Sequence, residues 1–266
     1  MLKCCTSLVL ALAAAVPAAR AGEARELRIV KQPGLAYLPL VVMREMRLIE
    51  KHAPGVTVDW RQLTSGPVIR DAMIAGEIDI GSVQHILLQM EAERELGDPR
   101  KLDRQLVAMA QEDATAALLS HREITCHFSG PPYQYEQLRH PGIVKVFDSY
   151  KPMGGPHNFN LVWTSEEWAK ANPKLLASFV EAMKEAMEFI AREPSEAAGI
   201  YARSEKSSST AAQIADIIRQ PGIRYTMTPK GMSRFASFMA KIGSIKSARP
   251  SWREYALPHL HELPGS

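Results

Sequence analysis

The chain is poor in cysteine, with three in 266 residues, and two of them, Cys4 and Cys5, sit within the first five positions. It also lacks a long apolar run. The stretch Leu8 to Val16 falls well short of the roughly 20 residues that a membrane span needs. Lys3 precedes that run and the small residues Ala19 and Ala21 follow it around Arg20, which is the layout of a secretory signal cleaved after Ala21. Cys4 and Cys5 lie before the apolar run, whereas a lipid-attachment cysteine follows one, so no lipid anchor is expected. Cleavage leaves Cys126 alone and excludes an intrachain disulfide, which suits export to a bacterial periplasm. An excess of one charge is missing too. The formal charge of +3 falls to +1 once Lys3 and Arg20 are removed, leaving no basic field for nucleic acid.

Catalytic signatures are equally scarce. The sequence has no Gly-x-Ser-x-Gly elbow and no nucleotide-binding loop, and His261-Glu262 runs into Leu263-Pro264 without a second histidine at metal spacing. Alternation over Ile124 to Phe128 puts Cys126 and His127 on opposite strand faces, so they cannot form a catalytic pair. Cys126 shares its face with Ile124 and Phe128 and is expected to be a buried small hydrophobe. No enzyme activity, cofactor or metal is expected.

What is present begins with Leu27 to Gly81. Leu27 to Lys31 reads as a strand ended by Pro33-Gly34, and Leu38 to Glu50 carries apolar residues at helical spacing. Val56, Val58 and Trp60 alternate with polar residues as a half-buried strand. Ser65-Gly66-Pro67 opens a helix that stops at Gly76, and Ile78 to Gly81 reads as a third strand. The result is a β-α-β-α-β unit with short connections. Its loops Gln32 to Tyr37 and Leu63 to Gly66 belong at the carboxyl ends of strands, where open α/β sheets bind ligands.

Beyond Gly81 the pattern predicts a helix over Gln84 to Leu96, with Ile86, Leu87, Met90 and Leu96 inward and Glu91, Glu93, Arg94 and Glu95 outward. Strands are predicted at Leu106 to Ala110, Glu123 to Phe128, Ile143 to Ser149 and Phe159 to Trp163. Asp113 is placed to cap a helix over Ala114 to Leu119, and Tyr133 and Tyr135 fall in a short helix. The carboxyl-terminal third is helical, with a long helix from Pro173, another from Pro194, and further helices over Thr210 to Arg219 and Pro229 to Ile242. It is expected to pack on the existing sheets. The helix, turn and strand of Asp71 to Ile80 recur in form at Ala114 to Ile124, either as facing half-domains or as chance similarity.

Several segments in this order resemble the periplasmic solute-binding proteins of ABC importers, of the nitrate, sulfonate and taurine type. They are Gly34 to Leu40, Thr64 to Pro67, Ala75 to Gly81, Asp113 to Ser120, Phe159 to Thr164 and the end from Trp252 to Ser266. The same group is similar to the pyrimidine-precursor synthesis proteins of thiamine biosynthesis. The resemblance implies an α/β fold of periplasmic-binding-protein type II, with two lobes, ligand held between them and a helical carboxyl-terminal third. It also implies a monomer that carries a small-molecule solute to a membrane permease. The boundaries that follow are 1–21 for the signal, 22–82 for the first lobe, 83–155 for the second and 156–266 for the return to the first. The sequence departs from the pattern after Gly81, where Ser82-Val83-Gln84 joins the first lobe straight to a second-lobe helix and the first crossing is missing. Either the gene has lost a segment, which opens a sheet edge, or the chain is a shortened but folded variant.

Position on the cleft-facing loops selects Gln32, Ala36, Tyr37, Ser65 and Gly66 as ligand residues of the first lobe, with Ser82 at the end of the third strand. The second lobe contributes Gln111, Asp113, Ser129 and Pro131, and Asn160 and Trp163 lie near the return crossing. Ser65 and Asp113 are equally suited to helix capping, and Trp163 to the core. A carboxylate at Asp113 disfavours a bare anion and favours an amine-bearing sulfonate or a heterocycle. Tyr37→Ala is expected to weaken binding without loss of fold. A nonfunctional remnant and a pyrimidine-precursor synthesis protein are the alternatives, although the latter calls for a cysteine-rich metal-binding stretch that is absent here.

Overall fold

The computed structural model describes residues 23–63, 86–107 and 109–266. The expected signal sequence, the predicted second helix and third strand of the first unit, and the junction after Gly81 lie outside these residues. Strand β1 (Glu26–Lys31) buries Leu27 and Ile29 completely. It pairs in parallel with β2 (Thr57–Gln62), from Glu26 opposite Thr57 to Lys31 opposite Gln62. Between them run a short 3-10 turn and the helices α1 (Leu38–Glu45) and α2 (Leu48–His52).

The single helix predicted over Leu38 to Glu50 is therefore two. Arg47 adopts a left-handed conformation (φ 52°, ψ 43°) without glycine or proline to mark it. L-residues disfavour that region. Here it leaves Met46 at the surface while turning Leu48 and Ile49 into the core.

The long helix α8 (Pro173–Arg192) buries one stripe of Leu175, Phe179, Val180, Ala182, Met183, Ala186, Phe189 and Ile190. It is preceded by α3 (Ile86–Leu96), α4 (Gln111–Ser120), α5 (Tyr133–Gln137), α6 (Tyr150–Met153) and α7 (Glu166–Ala171). Fully buried Ala182 and Ala186 leave room for close approach, and α8 packs on α1 and α2 as well as sharing the core of β1. Glu23 accepts hydrogen bonds from the free amides of Lys174 (3.1 Å) and Leu175 (2.9 Å), which ties the chain ahead of β1 to the start of α8. α9 (Pro194–Ser204) and α10 (Ala211–Ile218) complete this core. The latter opens with a capping box in which Thr210 and Gln213 satisfy each other's amides.

A smaller core joins α3 and α6 to α11 (Met232–Lys241) through Leu87, Met90, Met153, Phe238 and Ile242. Here the predicted wet side of α3 needs correction. Glu91 is buried, and its carboxylate accepts from Arg94 (2.6 Å) and lies 3.2 Å from Lys151, whereas Leu96 is half exposed.

The four strands predicted between Leu106 and Trp163 are not regular strands among the described residues, and Ala108 is not described. Val107, Val144 and Val146 are more than two-thirds exposed, and Leu161 and Val162 are partly exposed. Cys126 is exposed rather than buried. Alternation selects a face only where a neighbouring strand supplies a ladder and a second layer covers that face. The helix predicted from Ala114 starts earlier, at Gln111. Ala110 is its N-cap, and Asp113 stands exposed in the first turn without capping it.

Two outcomes are expected in solution. The chain elutes as a monomer and unfolds in one cooperative transition by circular dichroism, because α1, α2, α8, α9 and α10 share one core. A broad, non-cooperative melt contradicts this. The Arg94 hydrogen bond holds the Glu91 carboxyl below its ordinary value of 4.5, with Lys151 adding to the effect. Its contribution to stability is therefore complete above that value and lost as pH falls through the lower, folded one. The melting temperature of Glu91→Gln is expected below that of the parent at pH 7, with the gap closing as pH drops below 4.5. A gap that stays constant into acid contradicts the pairing.

Candidate functional site

β1 ends in Lys31, whose side chain is 2% exposed. Its ammonium lies 2.5 Å from Glu205 Oε2 and donates to Gln62 Oε1 at 3.0 Å. Burial pushes the Lys31 pKa down and Glu205 opposes the shift. Arg44, from the end of α1, reaches the other Glu205 oxygen at 3.1 Å. One carboxylate thus serves two cations.

The loop Gln32 to Tyr37 follows directly. Gly34 takes φ 123°, ψ 155°, a conformation that side-chain-bearing residues avoid, and a Cβ there would stand 3.4 Å from the Pro131 carbonyl. The close approach is used: Leu35 N–H donates to Pro131 O at 2.7 Å. On its other side the loop accepts from Tyr225, whose hydroxyl donates to Leu35 O at 2.8 Å.

Residues from α4 and α5 face this loop. Tyr133 is buried, packs near Gly34 and donates its hydroxyl to Glu112 Oε1. Burial, reinforced by that carboxylate, raises the Tyr133 pKa and keeps the phenol protonated. Gln137, 4% exposed, donates to Thr115 Oγ1 (2.8 Å) and to His127 Nδ1 (2.7 Å), and accepts from Ser129 Oγ at 3.1 Å. Burial lowers the His127 pKa, which favours the neutral ring that this acceptor role requires.

Of the ligand residues selected from sequence, Gln32, Tyr37 and Pro131 meet at the loop. Tyr37 is a core residue, 6% exposed, whose hydroxyl donates to Gln32 Oε1 at 2.7 Å. Tyr37→Ala therefore removes a core side chain, so its effect on binding has to be read beside its cost in stability. Ala36 is half-buried against the main core. Ser129 has its hydroxyl committed to Gln137. Gln111 is half-buried at the start of α4, and its Oε1 is enclosed with no hydrogen-bond partner among the described residues. Asn160 and Trp163 are half-buried, and Phe159, beside Asn160, packs on Gly130. Ser65, Gly66 and Ser82 lie outside the described residues.

Sequence reasoning missed Lys31, Glu112, Tyr133, Gln137 and Glu205. Lys31 had a visible signal, since it shares its period-two face with Leu27 and Ile29. Two surface grooves lie elsewhere, one of about 630 Å3 beside α3 and α11 and one of about 310 Å3 beside α10, and no selected ligand residue lines either. Among the described residues no cluster of His, Cys, Asp and Glu could hold a metal, and no helix is long and apolar enough to cross a membrane.

This architecture is a type II periplasmic-binding-protein fold and has, among the described residues, a two-stranded sheet. Solved structures share it at low sequence identity. The alkanesulfonate-binding protein SsuA from Xanthomonas axonopodis pv. citri, bound to MOPS, superposes with a TM-score of 0.62 at 15% identity, covering 86% of this chain and 96% of that one. The periplasmic aliphatic sulphonate-binding protein SsuA from Escherichia coli gives 0.62 at 16% identity, covering 84% and 86%. The ligand-binding component of an ABC-type import system from Staphylococcus aureus, with zinc bound, gives 0.64 at 13% identity, covering 89% and 97%. No family model and no curated protein matches the chain.

Removing the Glu205 charge leaves the Lys31 ammonium buried and unpaired. Glu205→Gln is expected to cost about 3 kcal/mol of unfolding free energy in urea, and Lys31→Met in the same background to recover part of it. A loss below about 1 kcal/mol, the value of an exposed pair, contradicts a structural role for the pair. Tyr37→Ala is expected to cost about 3 kcal/mol, as aromatic truncations in cores do, and Tyr37→Phe about 1 kcal/mol for one hydrogen bond.

Proposed function

We propose that the chain is a periplasmic solute-binding protein of an ABC importer, of the nitrate, sulfonate and taurine type, exported by a signal cleaved after Ala21. In this reading it hands a small polar or anionic organic solute to a membrane permease. The observation that carries the reading is the fold match over more than four-fifths of the chain to proteins named as solute-binding components. It is supported by the convergence of the β1 loop and the Ser129 to Tyr133 segment, the juxtaposition expected of a ligand cleft.

The site residues are Gln32, Ala36, Tyr37, Gln111, Asp113, Ser129, Pro131, Asn160 and Trp163, with Ser65, Gly66 and Ser82 joining from the first lobe. Their chemistry favours a ligand that brings its own donors. The Gln111 Oε1 acceptor is enclosed without a partner among the described residues, Asp113 is an exposed carboxylate, and the nearby cations Lys31 and Arg44 share Glu205. An amine-bearing sulfonate or a nitrogen heterocycle meets this better than bare nitrate does.

Tryptophan fluorescence titrated with taurine, alkanesulfonates, nitrate and pyrimidines tests the proposal. Saturable quenching by an amine-bearing or heterocyclic member is expected, with Gln111→Ala weakening it about tenfold, the scale of one hydrogen bond to a buried acceptor. A flat response to the whole panel by folded protein overturns it.

A further inference from the structure

We propose that the groove between α3 and α11 is a second ligand site, selective for an organic anion with a short apolar body. It is an open groove of about 630 Å3, within the usual size range of small-molecule sites. Its lining is sharply divided. Met90 and Phe238, each 7% exposed, form an apolar floor that belongs to the smaller core and is held by it. Arg94, Arg234 and Lys241 stand along the rim with Glu93 as the one carboxylate among the lining residues.

The three cations are not equivalent. Arg94 is tied to Glu91 and Glu95, and Lys241 lies 2.7 Å from Glu93. Arg234 has no carboxylate partner among the described residues. One of its terminal nitrogens donates to the carbonyl of Pro152, on α6, at 2.9 Å, and the other lies over Gly154 just beyond that helix. That contact orients the guanidinium at the groove's edge and leaves most of its donors available. A planar guanidinium so fixed matches a carboxylate or sulfonate head through paired hydrogen bonds. An inorganic anion gains nothing from the Met90 and Phe238 floor, and an organic cation meets the wrong sign of charge. The combination selects a head of negative charge on a tail of a few carbons. None of the residues proposed for the β1 site lines this groove, so the two sites are separable by mutation.

The test is nuclear magnetic resonance of methionine methyl groups labelled with carbon-13, titrated with hexanoate. The Met90 signal is assigned by its disappearance in Met90→Leu, a volume-conserving change. Hexanoate is expected to move the Met90 resonance saturably. Arg234→Met should weaken the response at least tenfold, and Arg234→Lys should restore part of it. Sulfate and hexylammonium at equal concentration should leave the signal in place. An unmoved Met90 resonance, an equal response in Arg234→Met, or an equal response to hexylammonium overturns the proposal.

Discussion

The buried Lys31–Glu205 contact is the constraint on which the arrangement of the main core depends. β1 turns Leu27, Ile29 and Lys31 to the same side, so the strand that seeds the core ends by carrying an ammonium into it. Moving a charge of that size out of water costs several kcal/mol unless a counter-charge and hydrogen bonds replace the solvent. Glu205, immediately after α9, supplies the charge, and Gln62 at the end of β2 supplies an acceptor. Arg44 takes the second oxygen of the same carboxylate, while Ser204 donates to Glu45 at 2.9 Å. The ends of β1, β2, α1 and α9 therefore converge on one polar point. Apolar packing alone tolerates sliding of a helix along its stripe, whereas a carboxylate shared between two cations does not. The contact fixes the register of α9 against β1, and Lys31 is one residue from the loop that opens the site.

The parts of this fold legible in sequence are those whose signals are local. Pro173 and Pro194 at helix starts, the Thr210–Gln213 capping box and the apolar period of α8 each act within a few residues, and each element forms where those signals lie. β1 and β2 were legible because alternation and short connections agreed. The break between α1 and α2 was not, because it rests on Arg47 accepting a left-handed conformation that only the burial of Leu48 and Ile49 makes worthwhile. The inward position of Lys31 could be read from the strand's period. Its partner could not, since 174 residues separate them.

The middle of the chain shows the opposite case. Segments such as Ile143 to Ser149 carry a strand's alternation, yet Val144 and Val146 face solvent. A strand's period records which face is to be buried but not whether a ladder exists to receive it. Order in this region comes instead from side chains. Gln137 uses both ends of its amide to join Thr115, His127 and Ser129, stitching α4 and α5 to the chain between them. Such a hub has no periodic signature, and neither Gln137 nor Glu112 could have been chosen from spacing. The candidate site was therefore legible as a set of loops and only partly as a set of residues.

The hydrogen-bond ledger around the β1 loop also argues about what the loop can bind. Tyr37 donates to Gln32, Tyr133 to Glu112, Tyr225 to Leu35 O and Ser129 to Gln137, while Lys31 and Arg44 are engaged by Glu205. These donors are engaged within the protein. A bare anion in the proposed site that draws on one of these side chains must displace its internal partner, and a displaced acceptor then lacks a donor, at roughly 1–3 kcal/mol where it is buried. A ligand with N–H groups meets no such penalty at Gln111 Oε1, which has no partner among the described residues. The Arg234 groove has the reverse balance, with a guanidinium anchored at one edge and open donors over an apolar floor. A polar group that is satisfied internally offers little to a newcomer, so the partners already in place weigh on what each of the two proposed sites can bind.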